Sequence, residues 1–300
     1  MKYAVIGGAG FVGRHLTDYL LKNDHDVIVI DNLHNSNIEN ISNFFGNVDF
    51  HKLDILEKEK LKSLIRNVDG IFHHAALIDV QESFIQTKKY FDVNVLGTQR
   101  IFELAEELGL KTVFASSASI YGNPKQIPIV ENSERSPLNP YGQTKLEGEY
   151  LAEKFSENGV SIIGLRYFNI YGNGQSDSYA GVITKFFKDA LQKKPPKIND
   201  NGSQTRDFVY VGDVARANLF AMESKTKSGF INIGSGVSMT ILELANIIIK
   251  KFGLDAEPIF CEPLKGEIKD SQASIELAKK LLNWEPNTAL DEWLESQIKK

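Results

Sequence analysis

The chain has 300 residues, 42% of them hydrophobic, and its formal net charge is −5. This length can bury a substantial core, and a mildly acidic chain without blocks of Lys or Arg is a poor partner for a nucleic acid. The single cysteine, Cys261, excludes an internal disulfide, and no run of about 18 apolar residues is present to span a membrane, so we expect a cytoplasmic protein with neither a nucleic acid nor a membrane as partner.

Short apolar runs and helical patterns alternate through the first two thirds of the chain. The predicted strands cover residues 2–6, 26–30, 49–52, 70–73, 112–115 and 161–166. The predicted helices cover residues 10–22, 58–66, 93–108 and 141–157. Alternation of this kind predicts an α/β fold with a doubly wound, Rossmann-type parallel sheet, whose ligand crevice lies at the carboxyl ends of the strands.

The regular alternation ends near Phe168. We therefore predict a Rossmann domain over residues 1–168, with part of 207–233 added back to it. The remaining residues, 169–300, are predicted to form a smaller carboxyl-terminal α/β substrate lobe.

A glycine-rich turn follows the first predicted strand. Residues 8–13 read GAGFVG and fit G-x-G-x-x-G, and the glycines at 7, 10 and 13 fit the related G-x-x-G-x-x-G pattern. Small residues at this point let a pyrophosphate lie against bare N–H groups at the start of a helix. The predicted contacts of this turn are Gly7, Gly10, Phe11, Val12 and Gly13. The alternative is a tight strand-to-helix turn without a ligand.

Carboxylates follow the second and third predicted strands. Asp31 lies 18 residues after Gly13, where a carboxylate accepts hydrogen bonds from ribose hydroxyls and repels a 2′-phosphate, so NAD is favoured over NADP. Asp54 would lie near the adenine ring, although it could equally be an N-cap. The neighbouring residues Asn32 and Ile55 complete this part of the predicted NAD site.

The stretch HHAA follows the fourth predicted strand at residues 73–76. Ala75 and Ala76 would again let the backbone approach the cofactor. Adjacent residues on a strand face opposite ways, and no third ligand has a recognisable spacing. We therefore interpret His73 and His74 as a packed or solvated pair and predict no metal site.

Tyr141 and Lys145 lie at i, i+4 on a predicted helix, which brings them to one face. A phenol with a pKa near 10 is a poor base at neutral pH, but a nearby ammonium and an oxidised nicotinamide both favour the phenolate. Serines at 116 and 117 close the fifth predicted strand, where a hydroxyl can share a proton with the substrate and the tyrosine. The alternatives are an exposed helix face and serines that only satisfy strand-end backbone groups.

Together these motifs resemble the extended short-chain dehydrogenase/reductase superfamily. The matching stretches are the glycine fingerprint with Asp31, HHAA, NVLGT (94–98), SSASIYG (116–122), YGQTK (141–145), RYFNIYG (166–172) and QTRDF (204–208). The match covers nearly the whole chain, and within the superfamily it looks most like the UDP-hexose 4-epimerases.

For the reaction centre, the resemblance implies a catalytic group of Ser117, Tyr141 and Lys145, with Lys145 also holding the nicotinamide ribose. Asn94 matches a residue that braces the sheet and the active site, and we count it among the predicted cofactor-binding residues. Tyr167 and Phe168 match positions on the nicotinamide side.

For the substrate, the resemblance implies a nucleotide sugar. Asn169 and Arg206 match contacts to its diphosphate, and residues 181–186, with Val182, match the uridine-binding segment. Glu267 and Ser271 match further substrate positions. A guanidinium suits a diphosphate, although Arg206 could instead form a salt bridge with the neighbouring Asp207 or with another surface carboxylate. The resemblance also implies a homodimer formed through helices 93–108 and 141–157.

The residues that follow the catalytic hydroxyl indicate the reaction type, because the acid that related enzymes carry there is missing. Related 4,6-dehydratases place Asp-Glu after the catalytic hydroxyl, and uronate decarboxylases place a Glu beside it, whereas this chain has Ala118 and Ser119. We therefore expect C4 epimerisation through a 4-keto sugar, with Tyr141 as the base and NAD retained. The alternatives are a nucleotide-sugar 4-ketoreductase or dehydratase and a non-catalytic NAD(P)-binding regulator.

Two departures from the family pattern concern the substrate. Leu264 stands where an arginine usually binds the diphosphate; Lys265 or Lys269 could compensate, without the guanidinium fork. Ser271 stands where a bulky tyrosine restricts the sugar pocket, which predicts room for an N-acetyl group. The alternative is that Ser271 caps a helix over 271–282.

Overall fold

The computed structural model describes residues 1–175 and 180–298. Its main sheet has seven parallel strands in the order β10-β6-β5-β4-β1-β2-β3. These strands are β1 (Lys2–Ile6), β2 (Asp26–Asp31), β3 (Val48–Lys52), β4 (Gly70–His73), β5 (Lys111–Ser117), β6 (Ile162–Tyr167) and β10 (Gly229–Ile233). The six predicted strands and the doubly wound parallel arrangement are confirmed.

The main sheet is buried on both faces, except at its edge strand β3, which is only partly buried. In β1, the side chains of Tyr3 and Val5 join the core that includes Leu16 of the first helix, while Ala4 and Ile6 join a second core on the opposite face. Strands covered on both sides lose the alternation of apolar and polar residues and become continuous apolar runs. This is why the predicted strands stood out in the sequence.

Helices connect the strands and flank the sheet. They are α1 (Phe11–Lys22), α2 (Lys58–Ile65), α3 (Val80–Ile85), α4 (Thr87–Phe91), α5 (Gly97–Leu108), α6 (Pro140–Glu157), α7 (Val182–Leu191), α8 (Val211–Glu223), α9 (Ile241–Phe252), α10 (Glu276–Leu282) and α11 (Leu290–Ile298). A π-helical segment, Asp92–Leu96, joins α4 to α5, so the predicted helix 93–108 begins earlier and contains an irregular turn. Within the described ranges, no helix combines the length and apolar character needed to cross a membrane.

The second half of the chain builds two small sheets and also returns to the main one. The strands β7 (Asn169–Tyr171), β9 (Thr205–Tyr210) and β11 (Ser238–Thr240) form one small sheet, and β8 (Lys197–Asn199) pairs with β12 (Ile259–Cys261). A separate core includes Phe186, Leu244 and Trp293. Because β10 pairs with β6, the segment after β9 adds a strand to the main sheet.

Candidate active site

The glycine-rich turn is packed so closely that side chains are excluded. Gly7 has φ +82° and donates its N–H to the carbonyl of Ile30 at 2.7 Å. A Cβ on Gly7 would lie 2.5 Å from the nitrogen of Ala75, and one on Gly13 would lie 2.2 Å from the carbonyl oxygen of Gly7. Bare backbone therefore faces the start of α1, as binding of a pyrophosphate requires.

Asp31 ends β2 beside this turn. Its Oδ2 accepts the N–H of Ala9 at 3.0 Å, and its Oδ1 accepts the N–H of Leu33 at 2.8 Å and the hydroxyl of Ser36 at 2.9 Å. A carboxylate has about four acceptor positions, and these three bonds therefore leave Oδ2 able to accept from a further donor. The buried negative charge also disfavours a 2′-phosphate.

Asp54 lies shortly after the end of β3 and does not cap a helix. Its Oδ2 accepts the amide of Asn32 at 2.9 Å, and its Oδ1 accepts the N–H of Leu56 at 2.9 Å. The N-cap position of α2 is Glu57, so the alternative of Asp54 as an N-cap is wrong. Asp54 and Asn32 instead form one hydrogen-bonded wall.

These residues line a groove at the carboxyl ends of β1, β2 and β4, here called the cofactor groove. It is lined by Gly7, Gly10, Ile30, Asp31, Asn32, His34, Asn35, Ser36, Leu53, Asp54, Ile55, His74, Ala75, Ala76, Leu77, Lys89 and Val93. Eight of the predicted cofactor residues lie here. Residues 34–36 were not predicted to lie here, although they form a polar run shortly after a predicted strand, which was a usable signal. Phe11, Val12 and Gly13 lie at the start of α1.

The two histidines have different surroundings. The ring of His73 is buried, with Nε2 2.9 Å from the hydroxyl oxygen of Thr98, while that hydroxyl donates to the carbonyl of Asn94 at 2.6 Å. Burial lowers the pKa of His73 to about 3, so the ring is neutral. His74 lines the cofactor groove. No group of His, Cys, Asp and Glu side chains suited to a metal ion occurs in the described part of the chain.

A second crevice, here called the substrate pocket, lies at the carboxyl ends of β5 and β6. It is lined by Val80, Gln81, Ser117, Ala118, Ser119, Asn139, Tyr141, Tyr167, Phe168, Asn169, Arg206, Leu264, Gly266, Glu267, Ile268 and Ser271. Eight predicted site residues from distant parts of the sequence meet in this pocket. Residues 80 and 81 were missed because α3, a helix of only 6 residues, has no clear periodicity.

Tyr141 lies in the first turn of α6, and its side chain lines the substrate pocket together with that of Ser117. The spacing of Tyr141 and Lys145 predicted that the ammonium favours the phenolate. In the structure, burial raises the pKa of Tyr141, and the nearby hydroxyl of Ser117 only partly opposes that effect. The hydroxyl of Ser117 also accepts the N–H of Ser119 at 3.2 Å, so it serves the strand end as well as the pocket.

Lys145 lies one turn further along α6. Its Nζ donates to the carbonyl of Ala115 at 2.8 Å and lies 5.9 Å from the ring centroid of Tyr141. Burial lowers the pKa of Lys145 to about 8. The side chains of Tyr141 and Lys145 are therefore close together, as predicted. Burial nevertheless disfavours the charged form of Lys145, and its Nζ is already hydrogen-bonded to the backbone.

Asn94 connects three parts of the site from within the π-helical segment. Its Oδ1 accepts the N–H of Leu77 at 2.8 Å, and its Nδ2 donates to the carbonyl of Leu77 at 2.9 Å and to the hydroxyl of Thr144 at 3.0 Å. Its polar atoms are thus engaged with the protein. This geometry matches a bracing role better than a direct contact with a cofactor.

Arg206 supplies positive charge to the substrate pocket, but it is already paired. Its Nη2 lies 3.1 Å from Oε1 of Glu267, so the carboxylate partner is Glu267 rather than Asp207. Leu264 lines the pocket where the family pattern has an arginine. Lys265 does not replace that charge, because its Nζ lies over the ring of Phe84 at 4.5 Å from the centroid.

Two remaining predicted residues differ in their placement. Ser271 is buried and lines the substrate pocket, and the N-cap of α10 is Ile275, so the alternative of Ser271 as a helix cap is wrong. Val182 begins α7 and packs against the separate core of the second half. It is not among the described residues that line the substrate pocket.

Comparison with known proteins identifies relatives along the whole chain. Residues 3–234 match the model of the NAD dependent epimerase/dehydratase family. A putative UDP-glucose 4-epimerase of Methanocaldococcus jannaschii is 39% identical over 98% of this chain and 96% of its own length.

Solved structures agree with this match. A UDP-glucose 4-epimerase of Thermotoga maritima with UDP-glucose aligns with TM-score 0.93 at 32% identity, over 99% of this chain and 100% of the other. A UDP-glucuronic acid 4-epimerase of Bacillus cereus, in complex with UDP-glucuronic acid and NAD, aligns with TM-score 0.92 at 32% identity, over 100% of this chain and 98% of the other. Both alignments extend over the cofactor groove and the substrate pocket.

Proposed function

This chain belongs to the NAD-dependent epimerase/dehydratase family, and from that premise we propose that it epimerises a UDP-hexose at C4 through a transient 4-keto sugar. The observation that carries the proposal is the substrate pocket itself: Tyr141, Ser117 and Arg206 converge there. The phenol and hydroxyl are suited to a sugar alcohol, and the guanidinium is suited to a diphosphate. The similarity to UDP-sugar 4-epimerases supports this assignment.

NAD is the cofactor of this family, and the residues of the cofactor groove fit it. Gly7, Gly10 and Gly13 would face its pyrophosphate, and Asp31 would hold the adenosine ribose. Lys145 would hold the nicotinamide ribose. The chemistry that bound NAD supplies is reversible hydride exchange with C4, together with a positive charge that favours the phenolate of Tyr141.

The protein's own part in the reaction is to move and hold one proton. Tyr141 accepts the proton of the C4 hydroxyl when C4 is oxidised, and Ser117 donates a hydrogen bond to the same sugar oxygen. For the epimer to form, the 4-keto sugar would have to turn within the pocket and present its other face, and Tyr141 would then give the proton back. Oxidation and reduction balance, and no external reductant is needed.

Dehydration and decarboxylation are disfavoured by the residues around Ser117. Ala118 and Ser119 line the pocket at the positions where those reactions need an acid. Glu267 is the one carboxylate among the described lining residues, and it is paired with Arg206. A free acid for expelling water from the sugar is thus lacking at this wall of the pocket.

The direct test is to incubate the purified protein with UDP-glucose, UDP-galactose, their N-acetylated counterparts and UDP-glucuronic acid, each without added reductant. We expect C4 epimers from at least one pair and NAD that remains with the protein. Turnover only with added NADH or NADPH would favour a 4-ketoreductase. Bound NAD with no turnover of any sugar, under either condition, would favour the non-catalytic regulator.

We further propose that the pocket accepts N-acetylated hexoses, because the small side chain of Ser271 leaves space. In Ser271→Tyr, kcat/KM for the acetylated sugars should fall at least about tenfold relative to the unacetylated ones, since a bulky ring would fill that space. The kinetics of both sugar pairs measure this. Ser271→Ala is the matched control and should keep both activities. A wild-type protein confined to unacetylated sugars would contradict the pocket argument.

A further inference from the structure

One segment of the second half closes a wall of the substrate pocket. Residues 263–269, here called the substrate loop, contribute Leu264, Gly266, Glu267 and Ile268 to that wall. The loop is separated by well over one hundred residues from the catalytic tyrosine, so its position depends on tertiary contacts rather than on local sequence.

Side chains from the first half hold the backbone of the substrate loop. Nε2 of Gln81 donates to the carbonyl of Lys265 at 3.0 Å, and Nδ2 of Asn139 donates to the carbonyl of Gly266 at 3.3 Å. The N–H of Lys269 donates to Oδ1 of Asn123 at 2.8 Å. Each contact satisfies a backbone group that a loop must otherwise leave to water.

Asn139 has a second task at the start of the catalytic helix. It is the N-cap of α6, and its Oδ1 accepts the N–H of Gly142 at 2.8 Å. Because an N–H must meet the oxygen, the amide orientation is fixed, and the NH₂ group is the one that faces Gly266. Tyr141 lies two residues further on, with its own N–H donating to the hydroxyl of Ser83 at 3.2 Å.

The backbone of the substrate loop is tightly packed at Gly266, which restricts its conformation. Gly266 has φ +71°, and a Cβ there would lie 2.9 Å from Cζ of Phe84 and 3.3 Å from Cβ of Asn139. The ammonium of Lys265 lies over the same Phe84 ring. The contact between Asn139 and Gly266 is therefore made at a tightly packed point and not on an open surface.

From these contacts we infer that Asn139 is a positioning residue that couples the substrate loop to the catalytic helix. Its carboxamide oxygen fixes the first turn of α6, and its nitrogen holds the wall of the substrate pocket. The part of this inference that concerns Tyr141 and catalysis rests on the proposed function. Loss of the nitrogen alone should weaken binding of the nucleotide sugar, whereas loss of both atoms should also displace Tyr141.

The substitution Asn139→Asp separates the two tasks. Aspartate caps a helix as well as asparagine does, but its second oxygen cannot donate to Gly266. We expect KM for the turned-over UDP-sugar, and Kd for UDP by calorimetry, to rise about tenfold, with kcat within about threefold of wild type. Amide hydrogen exchange over residues 264–268 should accelerate, while that of the first turn of α6 should not.

Asn139→Ala removes both contacts and should lower kcat as well as raise KM. Asn23→Asp is the matched control, since the Nδ2 of Asn23 donates to the carbonyl of Tyr19 at 2.8 Å on an exposed helix end, and it should leave all readouts unchanged. Wild-type loop exchange and KM in Asn139→Asp would overturn the inference, as would equal losses of kcat in Asn139→Asp and Asn139→Ala. Exchange and UDP binding do not need turnover, so they test the loop contact even if the protein epimerises none of the sugars.

Discussion

Replacing Tyr141 with phenylalanine is expected to lower kcat for C4 epimerisation about a thousandfold. In the proposed mechanism the phenol takes the C4 proton, and both Tyr141 and Ser117 line the substrate pocket. Phenylalanine keeps the ring, so packing should survive and only the proton acceptor is lost. Initial rates measured with the preferred UDP-sugar, together with the Kd for UDP and the amount of NAD retained, check this expectation.

Tyr150→Phe provides the matched control for this substitution. Tyr150 lies on the same helix, but its side chain is exposed and its ring contacts the guanidinium of Arg135 rather than the pocket. The epimerisation rate of Tyr150→Phe should equal that of the wild type. If Tyr141→Phe retained more than about a tenth of the wild-type rate, proton transfer by Tyr141 would not be the chemical role of this residue.

Burial disfavours the charged forms of Tyr141 and Lys145 in the candidate active site, and the local sequence did not show this effect. Tyr141 and Lys145 are one turn apart, as their spacing indicated, but the pKa of the phenol is raised and that of the ammonium is lowered to about 8. Both charged forms are disfavoured by the same loss of water. We therefore expect the phenolate to become accessible only when positive charge is bound nearby, which limits proton abstraction to the loaded site.

The main sheet was predictable because its signal is local. The run at 26–30 reads as a buried strand whatever lies around it, since parallel strands covered on both faces are apolar throughout. The π-helical turn at Asp92–Leu96 was not predictable in this way, because the apolar pattern of the segment continues through it. What distinguishes that turn is the set of tertiary bonds made by Asn94.

The candidate site was predictable only in part, for a similar reason. Its motif residues lie directly after strands or on a helix start, where sequence order alone brings them together. The contacts that shape the substrate pocket join residues far apart in sequence: Asn139 and Gly266 are 127 positions apart, and Arg206 and Glu267 are 61 apart. No periodic pattern in the sequence indicates such pairs, so they could be identified only in the folded structure.

A buried ion pair joins α6 to the neighbouring strand β6. Glu149 of α6 is fully buried, and its two carboxylate oxygens each accept a bond of 2.8 Å from the guanidinium of Arg166 in β6. The hydroxyl of Ser116 donates to the same carboxylate at 2.6 Å. The ion pair therefore joins α6 to β6, and the bond from Ser116 joins α6 to β5, next to Ser117 and Tyr167 of the substrate pocket.

We expect Glu149→Gln to lower the free energy of unfolding by about 3 kcal/mol, because the buried charge of Arg166 would lose its counterion. Urea denaturation, followed by circular dichroism, measures this loss. Glu153→Gln is the matched control: Glu153 binds Arg135 at 2.9 Å, but its side chain is 43% exposed, so the cost should stay below about 1 kcal/mol. Equal stability losses in the two variants would mean that burial does not govern the strength of this network. A loss confined to Glu149→Gln would show that the buried ion pair, and not the exposed one, stabilises the fold.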